Sequence, residues 1–440
     1  MEKIMKMKLF SAPKILVSVI ASLAIGALFQ QDASAKNIFV SPSGNGTDGS
    51  SWANAVQDPS KIDWSKVACG DQIILDGGAS SITYIGSLTV PKSNIVIRQS
   101  AEAGHNGQVI IRGPLYPGVP VAVGLTITGH NVHVVGVRRS GIKLFAFAAQ
   151  GASLKTNNNS LRNVEINSLT GFPPYAGGRV GGLTFGGYNN QFINCDFRDT
   201  TIGAVSQPVA GARNMAVFRH CTFGTSGYGF FGDSGTALLG ATAGGATIYA
   251  DHCVFGPYVN YGVTTNSDNV HMSNCLFLSA SKANLNVNPT SGTPHVTVNH
   301  CTIYEKKFAG GQPISYGTPE ETILTNGVGT VKVSNTIVWG GTISVPPAQV
   351  INAGGNVQYA VSGNTVALAP SLVDPQFVDG AILGASAPAA TFIPRTLTSL
   401  DFAPKPGSPA VGKGSDIARV SDIVAPYGPT YGLPTVLGGP

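Results

Sequence analysis

The sequence predicts an all-β protein, a right-handed parallel β-helix with an N-terminal covering segment and a Pro- and Gly-rich C-terminal segment. A short motif recurs along the chain, and apolar residues alternate with a period of two inside each copy. The composition agrees: 56 Gly and 28 Pro among 440 residues suit turns, and 11% charged residues exclude a coiled coil. The handedness follows the general preference for right-handed crossover connections.

Residues 1–35 are predicted to be a secretory signal peptide. A basic segment with four lysines precedes an uncharged apolar run over 15–29, and the small residues Ala33 and Ala35 flank Ser34 as at a cleavage site. The alternative is a membrane anchor, but the run is short for a span of about 20 residues. We therefore expect a mature chain that begins at Lys36 and has no membrane span. It is expected to be secreted or held at the cell surface, and the periplasm is an alternative location.

The mature chain is expected to be nearly neutral. Removing residues 1–35 takes away four of the 27 basic and two of the 22 acidic residues. No run of five basic residues occurs, so nucleic acid is not an expected partner.

The mature chain divides into three predicted parts. Residues 36–94 form the N-terminal cap and first strands, 95–340 the stacked coils, and 341–440 a closing segment rich in Pro and Gly. Early strands are predicted at Ile95–Ile97, Val109–Ile111 and Leu125–Ile127, upstream of the recurring motif.

The motif consists of alternating apolar residues, then Asn or His, then a small or apolar residue, any residue, and a large apolar residue. Its clear copies span 190–197, 216–223, 248–255, 270–277 and 296–303, and weaker copies span 132–139, 159–166 and 331–338. The spacing between copies varies while the motif stays constant. This predicts one structural coil repeated with connecting loops of unequal length.

Each motif is predicted to contain a bend of one residue. Val270 and Met272 share one strand face, but the next apolar residues, Cys275 and Phe277, fall on the opposite parity, so the chain must turn at Asn274. A single residue in left-handed geometry makes that turn, and Asn, His and Gly tolerate it best. The predicted bend residues are Gly136, Asn163, Asn194, His220, His252, Asn274, His300 and Asn335.

Five of the six cysteines follow these bends and are predicted to form one interior column: Cys195, Cys221, Cys253, Cys275 and Cys301. Secretion would favour disulfides, but parallel stacked side chains disfavour the torsion that a disulfide needs. Free, buried thiols are therefore expected. An interior column does not offer convergent ligands, so no metal is expected there.

Two of the bend histidines, His220 and His252, lie on adjacent predicted coils and could share a proton or a metal ion. Their position at the bend explains them without such a role, and we prefer that structural interpretation.

The repeat and the opening segment Ile38–Trp52, followed by Gly70–Leu75, resemble secreted bacterial right-handed β-helix proteins of the pectate-lyase-like superfamily. Asp374–Asp379 and Leu400–Ala410 resemble the closing segment that such surface proteins carry, although the family's usual continuation is not matched. The resemblance implies the fold. It leaves the activity open, because the superfamily contains lyases, hydrolases, epimerases and non-catalytic proteins.

The family resembled here uses Arg, Lys and often acid-bound calcium to neutralise acidic sugars, and such residues should project from the strand before each motif. The outward positions of those strands are predicted to be Thr126, Thr184, Thr264, Asn284, Asn286 and Asn288. None carries a charge. We therefore expect no cofactor; calcium stays a possibility that these residues do not support.

The predicted functional residues lie on these strands and in the loops beside them. Candidate catalytic groups are Arg179, Arg198, Asp199 and Asp233, and candidate sugar-binding residues are Tyr175, Tyr228, Tyr258, Thr184, Thr264 and Asn286. Aromatic rings beside hydroxyl and amide groups suit the stacking and hydrogen bonding of sugars. The alternative is that the rings cover the side of the solenoid.

The sequence favours a secreted carbohydrate-active protein that binds, and in one version degrades, an extracellular polysaccharide as a lyase or hydrolase. The alternative is a non-catalytic cell-surface or matrix protein that binds glycans or builds an extracellular layer. Fold alone does not choose between them.

Overall fold

The structure, a computed structural model, describes most of the chain from residue 35 to residue 359. The described residues are 35–113, 123–145, 147, 150–167, 181–198, 200, 202–224, 236–239, 245–256, 259–265, 268–278, 280–287, 293–304, 321–325, 329–339, 342–344 and 349–359. The predicted signal peptide, apart from residue 35, and the closing segment beyond residue 359 lie outside them.

The described residues form strands almost throughout, with two single 3₁₀ turns at Pro59–Lys61 and Trp64–Lys66. The strands are β1 Asn37–Val40, β2 Gln72–Leu75, β3 Ser81–Ile85, β4 Leu88–Val90, β5 Ile95–Gln99, β6 Gln108–Arg112, β7 Val123–Ile127, β8 Val132–Val135, β9 Ile142–Phe145, β10 Gln150–Leu154, β11 Ser160–Arg162, β12 Val164–Asn167, β13 Gly181–Phe185, β14 Asn190–Ile193, β15 Asp196–Arg198, β16 Ile202–Ser206, β17 Met215–Arg219, β18 Thr222–Gly224, β19 Thr236–Leu239, β20 Thr247–Asp251, β21 Val254–Phe255, β22 Val259–Thr265, β23 Asn269–Ser273, β24 Leu276–Leu278, β25 Ala280–Val287, β26 His295–Asn299, β27 Thr302–Tyr304, β28 Glu321–Thr325, β29 Thr330–Ser334, β30 Ile337–Trp339, β31 Thr342–Ser344, β32 Val350–Asn352 and β33 Val357–Tyr359.

The strands stack into three parallel sheets. Sheet 1 contains β1, β2, β5, β8, β11, β14, β17, β20, β23, β26, β29 and β32. Sheet 2 contains β3, β6, β9, β12, β15, β18, β21, β24, β27, β30 and β33, and sheet 3 contains β4, β7, β10, β13, β16, β19, β22, β25, β28 and β31. Each coil adds one strand to sheet 3, then sheet 1, then sheet 2, which confirms the predicted parallel β-helix.

The sheets extend beyond the range 95–340 on both sides. Strands β1 to β4, within residues 36–94, form the first strands of the three sheets, and β31 to β33 add a further coil within 342–359. The cap and closing segments therefore contribute strands of their own to the stack.

Aromatic side chains fill part of the core in rows that run along the stack. The rings of Phe197, Phe223, Phe255 and Phe277 are stacked face to face with centroids 4.8 to 5.0 Å apart. This separation is close to the spacing of adjacent strands, about 4.8 Å, so the strand register itself brings the rings together. Each such pair contributes about 0.5 to 1.5 kcal/mol beyond its burial.

The predicted one-residue bend is present between sheets 1 and 2 in seven coils. Its residues have φ between 48 and 58°: Asn163, Asn194, His220, His252, Asn274, His300 and Asn335. Each lies directly between a strand of sheet 1 and the first inward-facing residue of the segment that leads into sheet 2.

The prediction for Gly136 is wrong. Five further residues follow it before the chain resumes at Ile142, which pairs with Val164, and the left-handed residue of this turn is Ser140, with φ 56°. Val137, expected to point inward, is 49% exposed. Gly136 is required instead for close approach, because a Cβ there would lie 2.7 Å from the carbonyl oxygen of Asn163.

A second row of left-handed asparagines precedes sheet 1 and lay outside the recurring motif: Asn94, Asn131, Asn158 and Asn189, with φ between 55 and 59°. Their amides bond along the stack. Asn131 Nδ2 donates to Asn94 Oδ1 at 2.9 Å, and Asn189 Nδ2 donates to Asn158 Oδ1 at 3.0 Å.

The five cysteines that follow the bends form the predicted interior column, all buried and all free thiols. Several thiols bond to a main-chain carbonyl of the preceding coil, as Cys221 Sγ does to Phe192 O at 3.3 Å. Burial raises the pKa of the Cys195, Cys221 and Cys275 thiols well above its ordinary value. The sixth cysteine, Cys69, is exposed.

Thiol counting tests the redox state of this column. In native protein without reductant, we expect a thiol reagent to modify the exposed Cys69 rapidly and the buried column slowly, because burial blocks access of the reagent. In denaturant without reductant, all six cysteines should react. Fewer than five free thiols in denaturant, rising after reduction, would contradict the prediction.

The bend geometry is tested by substituting Asn274, whose φ is 54°. Asn274→Gly and Asn274→Ala both remove the bond from Nδ2 to Asp251 Oδ1, so their difference isolates the backbone. We expect Ala to lower the free energy of unfolding by about 1 to 2 kcal/mol relative to Gly, because left-handed geometry is costly for any residue with a Cβ. Equal urea denaturation midpoints for the two variants would contradict a strained bend.

Candidate functional site

The predicted polar ladder lies on the outer face of sheet 3 as one column in register. Thr184, Thr264 and Asn286 belong to it, and Thr264 and Asn286 are direct neighbours. The whole column is Thr89, Thr126, Ser153, Thr184, Val205, Leu239, Thr264, Asn286, Leu324 and Ser344. Val205, Leu239 and Leu324 interrupt it, so its polar residues fall into three groups: 89–184, 264–286 and Ser344 alone.

Three polar side chains of this column are buried, those that the sequence predicted as sugar-binding. Thr184 is 0% exposed, and Thr264 and Asn286 are each 7% exposed. Among the described residues, Thr184 Oγ1, Thr264 Oγ1 and Asn286 Oδ1 have no hydrogen-bond partner. A buried oxygen without a hydrogen bond costs about 1 to 3 kcal/mol of stability.

A row of glycines crosses sheet 3 two residues before the column. A Cβ at Gly182 would lie 2.4 Å from the carbonyl oxygen of Gly203 on the next strand, and one at Gly151 would lie 2.8 Å from that of Gly182. The ladder pairing skips these residues. At this row, the backbones of adjacent strands therefore approach more closely than a residue with a side chain would allow.

Two charged residues lie on sheet 3 strands, Lys282 in β25 and Glu321 in β28. Ala283 pairs with Glu321, so both residues lie near the amino ends of adjacent strands. The sequence reasoning missed them because β25 begins at Ala280 and β28 at Glu321, earlier than the apolar pattern indicates.

A charged cluster occupies the outer face of sheet 2. Asp196 in β15 is 1% exposed and accepts hydrogen bonds from Arg139 Nε at 2.9 Å, Arg139 Nη2 at 2.5 Å and Ser140 Oγ at 3.1 Å. Arg139 also donates to Asn194 Oδ1 at 2.8 Å and to Thr222 Oγ1 at 2.7 Å. The long turn after Gly136 thus reaches strands two and three coils away.

Two more cations and a second carboxylate adjoin this pair. Lys143 Nζ lies 2.9 Å from Glu165 Oε1, and Glu165 is the strand neighbour of Asp196. Arg198 Nη2 lies 3.8 Å from Asp196 Oδ1, a longer contact than the paired bonds of Arg139. The carboxylate of Asp196 is therefore saturated mainly by Arg139.

The structure separates the predicted site residues. Arg198 lies in the sheet 2 cluster, while Thr184, Thr264 and Asn286 lie on sheet 3. The predicted residues that lie outside the described part of the chain are Arg179, Asp199, Asp233, Tyr175, Tyr228, Tyr258 and Asn288. Arg139, Lys143 and Glu165 were not predicted; the only signal for Arg139 was the irregular sequence after Gly136.

The bend histidines are neighbours, with the rings of His220 and His252 5.0 Å apart. The pKa of His220 is lowered, mainly by burial and to a smaller extent by the nearby His252. His252 Nδ1 lies 3.1 Å from Asp251 Oδ1. The described residues contain no group of three or more His, Cys, Asp or Glu placed to hold a metal ion.

In the described part of the chain, no helix has the length and apolar character needed to cross a membrane.

The fold resembles that of several solved structures. Pectate lyase Pel9A matches with a TM-score of 0.58 at 16% identity, over 88% of this chain and 94% of that one. An alginate lyase from Paenibacillus sp. str. FPU-7 matches with a TM-score of 0.45 at 14% identity, over 69% of this chain and 97% of that one. A rhamnogalacturonan lyase matches with a TM-score of 0.42 at 14% identity, over 84% and 95% of the two chains.

No protein-family model and no curated protein sequence matches this chain. The likeness to pectate lyase Pel9A concerns the fold, and it agrees with the right-handed parallel β-helix predicted from the repeat. The chain is a parallel β-helix protein with a polar column on sheet 3 and an ion-paired cluster on sheet 2.

The Arg139–Asp196 pair is expected to stabilise the coils that it joins. Arg139→Met leaves a carboxylate that is 1% exposed without its main partner, and should lower the free energy of unfolding by about 2 kcal/mol or more. Lys66→Met is the control, because it breaks an exposed ion pair, the one with Asp63 at 3.2 Å. Urea denaturation followed by circular dichroism should separate the two; equal midpoints would show that the buried pair contributes nothing.

Proposed function

We propose that this chain is an extracellular glycan-binding β-helix protein whose polysaccharide ligand lies along the polar column of sheet 3. Its predicted signal peptide, residues 1–35, supports secretion or display at the cell surface. The fold it shares with pectate lyase Pel9A is compatible with a polysaccharide partner.

One observation carries the proposal: the buried oxygens of Thr184, Thr264 and Asn286 lack hydrogen-bond partners among the described residues. Leaving such groups unmet costs free energy, whereas apolar residues at these positions would cost nothing. A sugar chain supplies hydroxyl groups at repeated intervals. Such hydroxyl groups can donate hydrogen bonds to these oxygens.

Binding rather than turnover is the activity that the described column favours. Its ten residues contain no Asp, Glu, Lys, Arg or His that could donate or accept a proton. On sheet 2, both carboxylate oxygens of Asp196 already accept hydrogen bonds from the guanidinium of Arg139.

A second candidate function is polysaccharide cleavage by a lyase or hydrolase. The observation that favours it is the placement of Lys282 and Glu321 near the amino ends of adjacent sheet 3 strands. An amine and a carboxylate are residue types used in general acid and base catalysis.

Substitutions in the column test glycan binding. Thr184→Val and Asn286→Leu should weaken binding to a polysaccharide panel at least about tenfold, since each removes a hydrogen-bonding group. Without ligand, Thr184→Val should leave the thermal midpoint unchanged or raise it, because it deletes a buried hydroxyl with no described partner. The control is Thr297→Val, the same exchange on sheet 1.

Affinity electrophoresis against neutral and acidic polysaccharides measures the binding. If the column variants and Thr297→Val bind equally well, the column is not the glycan site. New reducing ends or absorbance from unsaturated products would favour the second candidate, and Lys282→Met and Glu321→Gln should then abolish that product formation.

A further inference from the structure

The five thiols of the interior column are joined coil to coil by the main chain. The nitrogen of the residue after each cysteine donates to the carbonyl oxygen of the preceding cysteine at 2.9 Å, as Thr222 N does to Cys195 O. The pairing of sheet 2 continues this register through β15, β18, β21, β24 and β27. Neighbouring cysteines are therefore one strand spacing apart, about 4.8 Å.

All five sulfur atoms point in the same direction. Each Sγ lies 3.2 to 3.5 Å from the carbonyl oxygen two residues before it, as Cys275 Sγ does from Ser273 O at 3.2 Å. All except Cys301 Sγ also lie 3.3 to 3.6 Å from a carbonyl oxygen of the preceding coil. The sulfur atoms therefore form a straight row along the stack, and partly negative carbonyl oxygens line that row.

This row matches metal ions that bind two ligands in a straight line. A metal–sulfur bond measures about 2.3 Å, so two such bonds in line span about 4.6 Å, close to the strand spacing. The absence of any group of three or more ligands among the described residues does not affect such ions, because they need only two. The expectation that the column holds no metal applies to ions such as zinc, which need convergent tetrahedral ligands.

The row can take up monovalent cations without leaving a net charge in the core. The five cysteines are at most 2% exposed, and an uncompensated charge at such depth is very costly. Each cation that enters displaces one thiol proton to solvent, so the total charge does not change. Five sulfur atoms enclose 5 − 1 = 4 intervals, and four cations with one remaining proton balance five thiolates.

We propose that the interior thiol column is a binding site for soft monovalent cations of the copper(I) class, each held in line between the sulfur atoms of two adjacent coils. Thiolates select such ions over hard cations. The closed column is inaccessible, so the ions enter while coils are apart, during folding or local opening. Without such ions the thiols stay free. This site is independent of the proposed glycan binding.

Silver(I) is the probe, because it is a soft monovalent cation that is stable in air. The full-length mature protein carries Cys69→Ser, which removes the exposed thiol. It is refolded from urea with silver nitrate, washed with free histidine to strip imidazole-bound silver, and passed through gel filtration before the metal is measured by mass spectrometry. Zinc(II) is offered to a parallel sample.

We expect the refolded protein to retain up to about four silver ions per chain, one for each interval of the row. One proton should be released for each ion, and the thermal midpoint should rise, because the ions bind the folded column. Protein that is already folded should take up silver much more slowly. Zinc should not be retained.

Two alanine variants that each remove one thiol locate the ions. Cys301→Ala shortens the row at one end and leaves three of the four intervals, whereas Cys253→Ala interrupts its middle and leaves two. We therefore expect the end variant to lose about one silver ion and the middle variant about two, because each ion needs two adjacent sulfur atoms.

Equal silver losses in the two variants would show that the thiols bind ions singly, and unchanged silver content would place the ions elsewhere; either result overturns the proposal. Retention of no silver, or of as much zinc as silver, overturns it as well. X-ray absorption at the silver edge keeps the test decisive if the middle variant does not fold. The uninterrupted column should give two sulfur neighbours for each silver ion, and any other set of neighbours would contradict ions held in line.

Discussion

The one-residue left-handed bend is the constraint on which the rest of this structure depends. A coil that turns in a single residue keeps sheets 1 and 2 in fixed register, so each side chain meets its counterpart about 4.8 Å above and below. Asn163 and Asn274, with φ of 58° and 54°, show how closely the geometry repeats. The columns of phenylalanine rings and thiols inside the solenoid, and the polar columns outside it, are consequences of that repetition.

Inward and outward columns are physically independent of each other. The inward residues, such as Phe223 and Cys221, are fixed by the close packing of the core. The outward residues are free to vary from coil to coil, as the replacement of Thr184 by Val205 and then by Leu239 shows along one column. Chemistry can therefore change along the surface without disturbing the stack, which is why the fold leaves the function open.

The sequence was sufficient to predict the fold, the bend and the interior thiols, because these depend on local parity and on repetition. Cys275 and Phe277 change parity after Asn274, and that change alone locates the turn. The prediction failed at Gly136. Glycine suits a one-residue bend, but here it lies in a longer turn, where it lets the backbone approach that of Asn163 closely. The contact of Arg139 with Asp196 was not predictable, since it joins residues two coils apart that no local pattern connects. For the candidate site, the shared column of Thr184, Thr264 and Asn286 was foreseen but its burial was not, because burial depends on what covers a face.

The hydrogen bonds from Arg139 to residues of later coils affect how this solenoid unfolds. In a stack where each coil contacts only its neighbours, stability is a sum of local terms, and unfolding can fray inward from an end one coil at a time. Arg139 bonds to Asp196 and Thr222, two and three coils beyond its own. A coil inside that span is held from both sides and cannot peel away alone. This long-range contact enlarges the smallest segment that opens cooperatively, and that segment spans β9, β12, β15 and β18 of sheet 2.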